Sequence, residues 1–369
     1  MSLAERLAGR IRAEGPIGLA EYMAAAAGDP EFGYYRTHAP FGRAGDFVTA
    51  PEISQMFGEL VGLWCAVGWQ QMGEPDPVLV VELGPGRGTL MDDAIRAIAA
   101  APRFRAAMRL HLVETSHALR RIQAEILADR AAVAPVWHDT LDDVPDGPLL
   151  LVANEFFDAL PIRQFQRGRS GWHERCVDVD DAAGGGRFRF VLSPEPSPAA
   201  ALLAPELRLA PEGSIAELCP AGIVLARDIG ARIARWGGAA LIVDYGYASQ
   251  PGRLAVGDTL QAIRQHRRHD PLATPGAADI TAHVDFGRLA AAAGEAGAAC
   301  HGPIGQGALL TRLGIEARAD RLRAHASVSA RERIGAALAR LIAPQEMGTL
   351  FQAMAMSHPR QPAPPGFEA

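Results

Sequence analysis

Residues 78–93, Val-Leu-Val-Val-Glu-Leu-Gly-Pro-Gly-Arg-Gly-Thr-Leu-Met-Asp-Asp, constrain the fold more than any other stretch of this 369-residue chain. The apolar run from Val78 to Val81 reads as a buried strand, and Glu82 ends it. Gly84, Pro85, Gly86, Arg87 and Gly88 then make a tight turn, after which Leu90, Ala94, Ile95 and Ile98 recur at helical spacing. Strand, glycine turn and helix in this order form the ligand-cradling corner of a Rossmann-like sheet.

Glycine spacing discriminates between ligands. A dinucleotide fingerprint, G-x-G-x-x-G, places its third glycine at position 89, but that position is Thr89 and the third glycine is Gly88. This disfavours a NAD-dependent dehydrogenase. The compact G-x-G-x-G form, with Glu82 two positions before the first glycine, resembles motif I of S-adenosylmethionine (SAM) methyltransferases. Such a loop has no pyrophosphate to hold and need only cover an amino-acid tail and a ribose.

Composition narrows the class. Hydrophobic residues make up 49% and charged residues 21%, enough to bury a full core. Net charge is −6, with no basic patch of the kind nucleic acids require. All 36 basic residues are Arg, which excludes a Walker A lysine, a pyridoxal-phosphate Schiff base and any lysine base. The four cysteines are scattered without a C-x-x-C pair, against a zinc ribbon or a disulfide framework. The N-terminal segment carries Glu5 and Glu14 and lacks a secretory apolar region, and no run spans a bilayer. A soluble, cytoplasmic protein without direct membrane insertion is expected; oligomeric state leaves no signal.

Strand signals follow at 78–82, Arg109–Glu114, Val133–His138, Pro148–Ala153 and Ala239–Val243, with helical signals at 53–72, 117–129, 222–236 and 285–296. Such alternation predicts a parallel sheet with helices on both faces, and ligands outside the carboxyl ends of its strands. Glu82, Glu114, Asp139, Asn154 and Asp244 all fall there. The expected organisation is a helical and loop lid (1–75), a core of 76–162 and 222–312, and a β-rich insertion (163–221). Residues 251–285 read as polar loops, 305–356 as mostly helical, and 313–369 as C-terminal helices with a mobile proline-rich tail.

Site candidates follow from these strand ends. Glu114, 26 residues after Gly88, can accept both hydroxyls of a ribose, and Asp139 is placed for an adenine amino group. Asn154-Glu155-Phe156-Phe157-Asp158-Ala159-Leu160-Pro161 sets three polar residues directly after a buried strand, costly unless they find partners. Glu155 and Asp158 can grip a guanidinium through charge-assisted, bidentate hydrogen bonds. The alternative is a helix N-terminus with Asn154 as cap and Asp158 in its first turn. His266, His269 and Asp270 have no further metal ligand at a recognised spacing, and neighbouring Arg264, Arg267 and Arg268 repel a cation.

G-D-F-V-T-A-P-E-I-S-Q-M-F-G-E (45–59), E-L-G-P-G-R-G-T-L (82–90), L-V-E-T-S (112–116) and N-E-F-F-D-A-L-P (154–161) together resemble the MidA-like family. So do D-Y-G-Y (244–247), G-D-T-L-Q-A (257–262) and A-D-I-T-A-H-V-D-F (278–286), in order along the chain. These are SAM-dependent methyltransferases related to a mitochondrial complex I assembly factor that methylates protein arginine. The resemblance implies a Rossmann-like class I methyltransferase fold: a seven-stranded, mostly parallel sheet with a helical N-terminal lid and the β-rich insertion. It implies that Gly84, Gly86, Gly88 and Glu114 hold SAM, and Glu82 and Asp139 join them as cofactor candidates from their strand-end positions. The loop from Gly45 to Glu52, Asp46 included, and the turn with Asn154, Glu155 and Asp158 would shape the acceptor pocket, with a complex I subunit as protein substrate. Alternatives are a small-molecule methyltransferase of the same fold and a SAM-binding assembly factor without catalysis.

Overall fold

A computed structural model of the chain describes residues 1–37, 49–130, 134–181, 187–249 and 255–368. Its centre is a sheet built from β1 (Val78–Leu83), β2 (Met108–Val113), β3 (Val136–His138), β4 (Leu149–Asn154), β5 (Gly238–Tyr247), β6 (Ala299–Gly305) and β7 (Phe351–Ser357). The spatial order is β6-β7-β5-β4-β1-β2-β3, and the two-residue strand Val284–Asp285 also pairs with β5. β1 to β5 run parallel to one another; β7 is antiparallel to both β5 and β6. This is the mostly parallel, seven-stranded Rossmann-like sheet expected.

β1, β4 and β5 read as mostly apolar runs because both faces are covered. Val78, Val80, Leu150, Val152, Leu241 and Val243 face one side, against α1 (Gln55–Gln71) and α2 (Thr89–Ala97). Leu79, Val81, Leu149, Leu151, Ala240 and Ile242 face the other, against helices Pro220–Trp236 and Phe286–Glu295. α1 thus packs on the sheet, although it lies within the segment expected to be a lid. Its buried Glu59 accepts from Arg96 of α2 and from both Nε and Nη2 of Arg318, fastening a C-terminal helix to the core.

Residues 163–218 contribute the antiparallel strands Arg163–Arg167, Trp172–Asp180, Arg187–Leu192 and Ile215–Leu218. Ile17–Gly18 joins this sheet beside Val177 and Cys176, and Leu7, Ile11, Tyr22 and Met23 of the N-terminal helices share a core with Val177 and Val179. The N-terminal segment and the insertion therefore pack as one body.

Three readings of the C-terminal half require correction. Residues 251–285 include a small sheet, Gln261–Arg264, Arg267–His269 and Asp279–Thr281. The stretch 305–356 ends in β7, a central strand, because Ala353, Met354, Ala355 and Met356 are wholly buried between β5 and β6. The tail is held down: Arg312 Nη1 donates to the Gly366 carbonyl, Gln71 Nε2 to the Ala363 carbonyl, and Phe367 is buried.

Candidate active site

β1 delivers Glu82 to the top of the sheet, and the chain turns through Gly84, Gly86 and Gly88 with φ of 60°, 54° and 88°. Gly84 permits two things at once: the left-handed backbone, and the approach of Phe156, whose ring carbon would lie 2.6 Å from a Cβ there. Thr89, where a dinucleotide loop has glycine, donates its hydroxyl to Glu52 Oε1 at 2.6 Å and so fastens the segment after residue 48 to the turn. Glu82 is 3% exposed, and its Oε2 has no partner among the described residues. Burial pushes its carboxyl up to about 8.

Glu114 follows β2 and accepts from Ser116 N–H at 2.7 Å and from Gln123 Nε2 at 3.3 Å. Burial outweighs these bonds and raises its carboxyl above the usual range. Gln123, fully buried, also donates to the Gly86 carbonyl at 2.8 Å and accepts from Trp137 Nε1 at 2.8 Å. It locks the glycine turn, Glu114 and β3 together, yet nothing in Arg-Ile-Gln-Ala-Glu marks it in the sequence. Asp139 is exposed and ion-paired with Arg120 at 2.6 Å, at the rim rather than the floor.

The second wall is the turn after β4. Glu155 N–H donates to Val243 O, the last bond of the sheet ladder, and Glu155 itself takes φ of 50°. No helix starts here; residues 157–160 form a turn, which removes the reading of Asn154 as a helix cap. Asn154 Nδ2 instead donates to Glu155 Oε1, which also accepts from Ala50 N–H at 2.9 Å. Burial, reinforced by the charge of Asp158, pushes the Glu155 carboxyl up to about 7. Asp158 is 6% exposed with Oδ1 unpartnered among the described residues, and burial pushes it up to about 6. Tyr35 and Asp279, hydrogen-bonded at 2.7 Å, close the far side. Asp46 lies outside the described residues.

Between these walls lies a cavity of about 370 Å³ that both the glycine turn and Glu114 on one side and Glu155, Asp158 and Tyr35 on the other line. Drug-sized ligands typically occupy pockets of about 300–1,000 Å³. The residues present fit SAM: Glu82 Oε2 and Asn154 Oδ1 are buried acceptors awaiting donors, the turn lets backbone approach, and Glu114 meets the cavity as a ribose acceptor would. Among the described residues no group of three His, Cys, Asp or Glu side chains is arranged to hold a metal. Nor is any helix there long and apolar enough to cross a membrane.

Strand order, glycine turn and the acid after β2 together define the nucleoside-binding corner of a class I methyltransferase. The chain belongs to the methyltransferase-28 family of S-adenosyl-L-methionine-dependent methyltransferases, whose model matches residues 60–304. SAM is accordingly its cofactor. It is 40% identical over 382 residues to the fruit fly (Drosophila melanogaster) protein named protein arginine methyltransferase NDUFAF7 homolog, mitochondrial, covering 96% of this chain and 84% of the relative. It is 37% identical to human protein arginine methyltransferase NDUFAF7, mitochondrial, over 94% and 81% of the two chains. A solved structure from Burkholderia thailandensis, bound to S-adenosyl-homocysteine, superposes with a TM-score of 0.84 at 32% identity, covering 99% of this chain and 94% of that one. The expectation of a cytoplasmic protein is overturned by these relatives, which are named as mitochondrial.

Glu114→Ala should weaken SAM binding by about 1–3 kcal/mol, the cost of lost charge-assisted hydrogen bonds, as titration calorimetry would register. Unchanged affinity would move the ribose contact elsewhere.

Proposed function

We propose that the chain methylates an arginine side chain of a protein. The observation that carries this reading is a pair of carboxylates, half-buried Glu155 and buried Asp158, lining the same cavity as the glycine turn, with Asp158 Oδ1 unpartnered among the described residues. Buried charges of this kind are stabilised by a matching ion, and a guanidinium offers donors in a planar fork. The curated relatives, named protein arginine methyltransferases, support the same acceptor. The resemblance to a complex I assembly factor extends the proposal to a complex I subunit as substrate.

In this reading Glu82, Gly84, Gly86, Gly88, Glu114 and Asp139 hold SAM, which supplies a methyl group on a positively charged sulfur. Glu155, steadied by Asn154 Nδ2 and Ala50 N–H, orients the guanidinium so that one nitrogen faces that carbon. Asp158 Oδ1 holds the proton that the nitrogen gives up as it gains carbon. Asp46 completes the acceptor pocket, and the N-terminal segment that supplies Tyr35 and Thr49 serves as lid.

The test is label transfer. Purified protein is incubated with methyl-labelled SAM and extract from a strain deleted for it, and labelled residues are identified by mass spectrometry. Label on an arginine of one protein supports the reading. Label confined to small molecules, or SAM bound with no label transferred, would replace it with one of the two alternatives.

A further inference from the structure

We infer that Asp244, in β5 one residue past its last pairing with β4, is a positioning residue of the acceptor site: its carboxylate sets the turn that aims Glu155 and Asp158 into the cavity. The inference deepens the arginine-transfer reading and rests on it.

Ladder pairing of β4 with β5 ends at Asn154 opposite Val243, and Glu155 N–H makes the final bond to Val243 O at 2.9 Å. One residue later the chain must leave the sheet. It does so through Glu155 in the left-handed region, a conformation that a residue with a Cβ keeps only when its surroundings impose it.

Asp244 is what imposes it. Three successive N–H groups, of Phe156, Phe157 and Asp158, converge on Asp244 Oδ2 at 3.1, 2.9 and 3.2 Å. Its Oδ1 accepts from Tyr245 N–H at 2.9 Å, and the side chain is fully buried. Consecutive amides folded into a concavity form a nest that binds anions. Here the anion is internal, supplied by the neighbouring strand. The turn therefore stands ready before any substrate arrives, and its shape depends on one carboxylate that is not among the residues lining the cavity.

The three acids are also linked electrostatically. Glu155 faces Asp158, Asp244 and, from the helix Val328–Ile342, Arg340; Asp158 faces Tyr245. Burial and the charges of Asp158 and Glu155 raise the Asp244 carboxyl well above its usual range, and the amide bonds from Asp158 and Tyr245 oppose that rise.

Asp244→Asn tests the inference in the full chain. The amide keeps one oxygen for the nest but gives up the charge and sets an NH₂ against an N–H. Affinity for S-adenosyl-homocysteine, by calorimetry, should stay within about threefold of wild type, while label transfer into deletion-strain extract falls about 100-fold, the scale of a small misplacement. Transfer within about threefold of wild type overturns the inference. Glu155→Gln measured in parallel separates the two levels: if it transfers label at the wild-type rate, the acceptor-site reading itself fails. Should Asp244→Asn not bind S-adenosyl-homocysteine at all, amide exchange in the wild-type protein decides. Residues 156–158 protected without substrate support a preset turn, and exchange at free-peptide rates overturns it.

Discussion

Gly84→Val should abolish SAM binding while leaving the far-UV circular dichroism of the chain intact. Two independent costs meet at this position. A β-branched residue held at φ of 60° is strained by about 1–3 kcal/mol, and its Cβ would lie 2.6 Å from the Phe156 ring. Phe156 cannot simply step aside, because its N–H is bonded to Asp244 and it adjoins Glu155. The disturbance therefore reaches both walls of the cavity, and affinity should fall at least about 100-fold, read by calorimetry. Gly86→Val, at φ of 54°, should behave alike through backbone strain. Gly88 provides the contrast: a Cβ there would sit 3.5 Å from Gln123, ordinary contact, so only its φ of 88° resists substitution and Gly88→Asn should retain measurable binding. Wild-type affinity in Gly84→Val would remove the turn from the cofactor site.

Glu155→Gln should preserve SAM affinity and depress label transfer about 100-fold, because the amide keeps an oxygen for Ala50 N–H but forfeits the charge that orients a guanidinium. The pH behaviour adds a second reading of the same change. Burial lifts the Glu155 carboxyl from 4.5 to about 7, so the ionised form that the arginine-transfer proposal requires is lost as pH falls below that value. Wild-type transfer should show this acid limb, and Glu155→Gln should lack it. Stability runs the other way. Between pH 4.5 and about 7 the folded chain holds a proton that the unfolded chain has released, so stability declines as pH rises across that window. Glu155→Gln escapes the decline and should melt higher than wild type at pH 8. Equal loss of SAM affinity and transfer would instead place Glu155 on the cofactor side.

β1, β4 and β5 were legible because each is covered on both faces and reads as a mostly apolar run, and the glycine turn because positive φ admits few other residues. β7 was not. Phe-Gln-Ala-Met-Ala-Met-Ser is rich in helix formers, and its strand conformation is imposed by β5 and β6 on either side. β6, Ala-Cys-His-Gly-Pro-Ile-Gly, is interrupted by a register shift between His301 and Ile304 and carries no alternation. At the site, Glu82, Glu114, Asn154, Glu155 and Asp158 were visible as acids and amides stranded at strand ends. Gln123 was invisible, since a polar residue inside an amphipathic helix announces nothing until its neighbours are known. Asp244 stood among the strand-end acids without a role, because its three amide partners lie 86–88 residues away in the chain.

The placement of β7 also dictates when, during synthesis, this protein can exist. Of the seven strands, the last to be synthesised is the one that must slide between β5 and β6. Until Phe351–Ser357 is made, β5 presents an open edge and β6 has no sheet to join. Exposed strand edges of that kind template aggregation, and pairing across such long sequence separations is slow. A chain that stops before Phe351 would therefore not be a slightly smaller methyltransferase. It would be a nascent chain with an unfinished sheet, dependent on chaperones and destined for proteolysis.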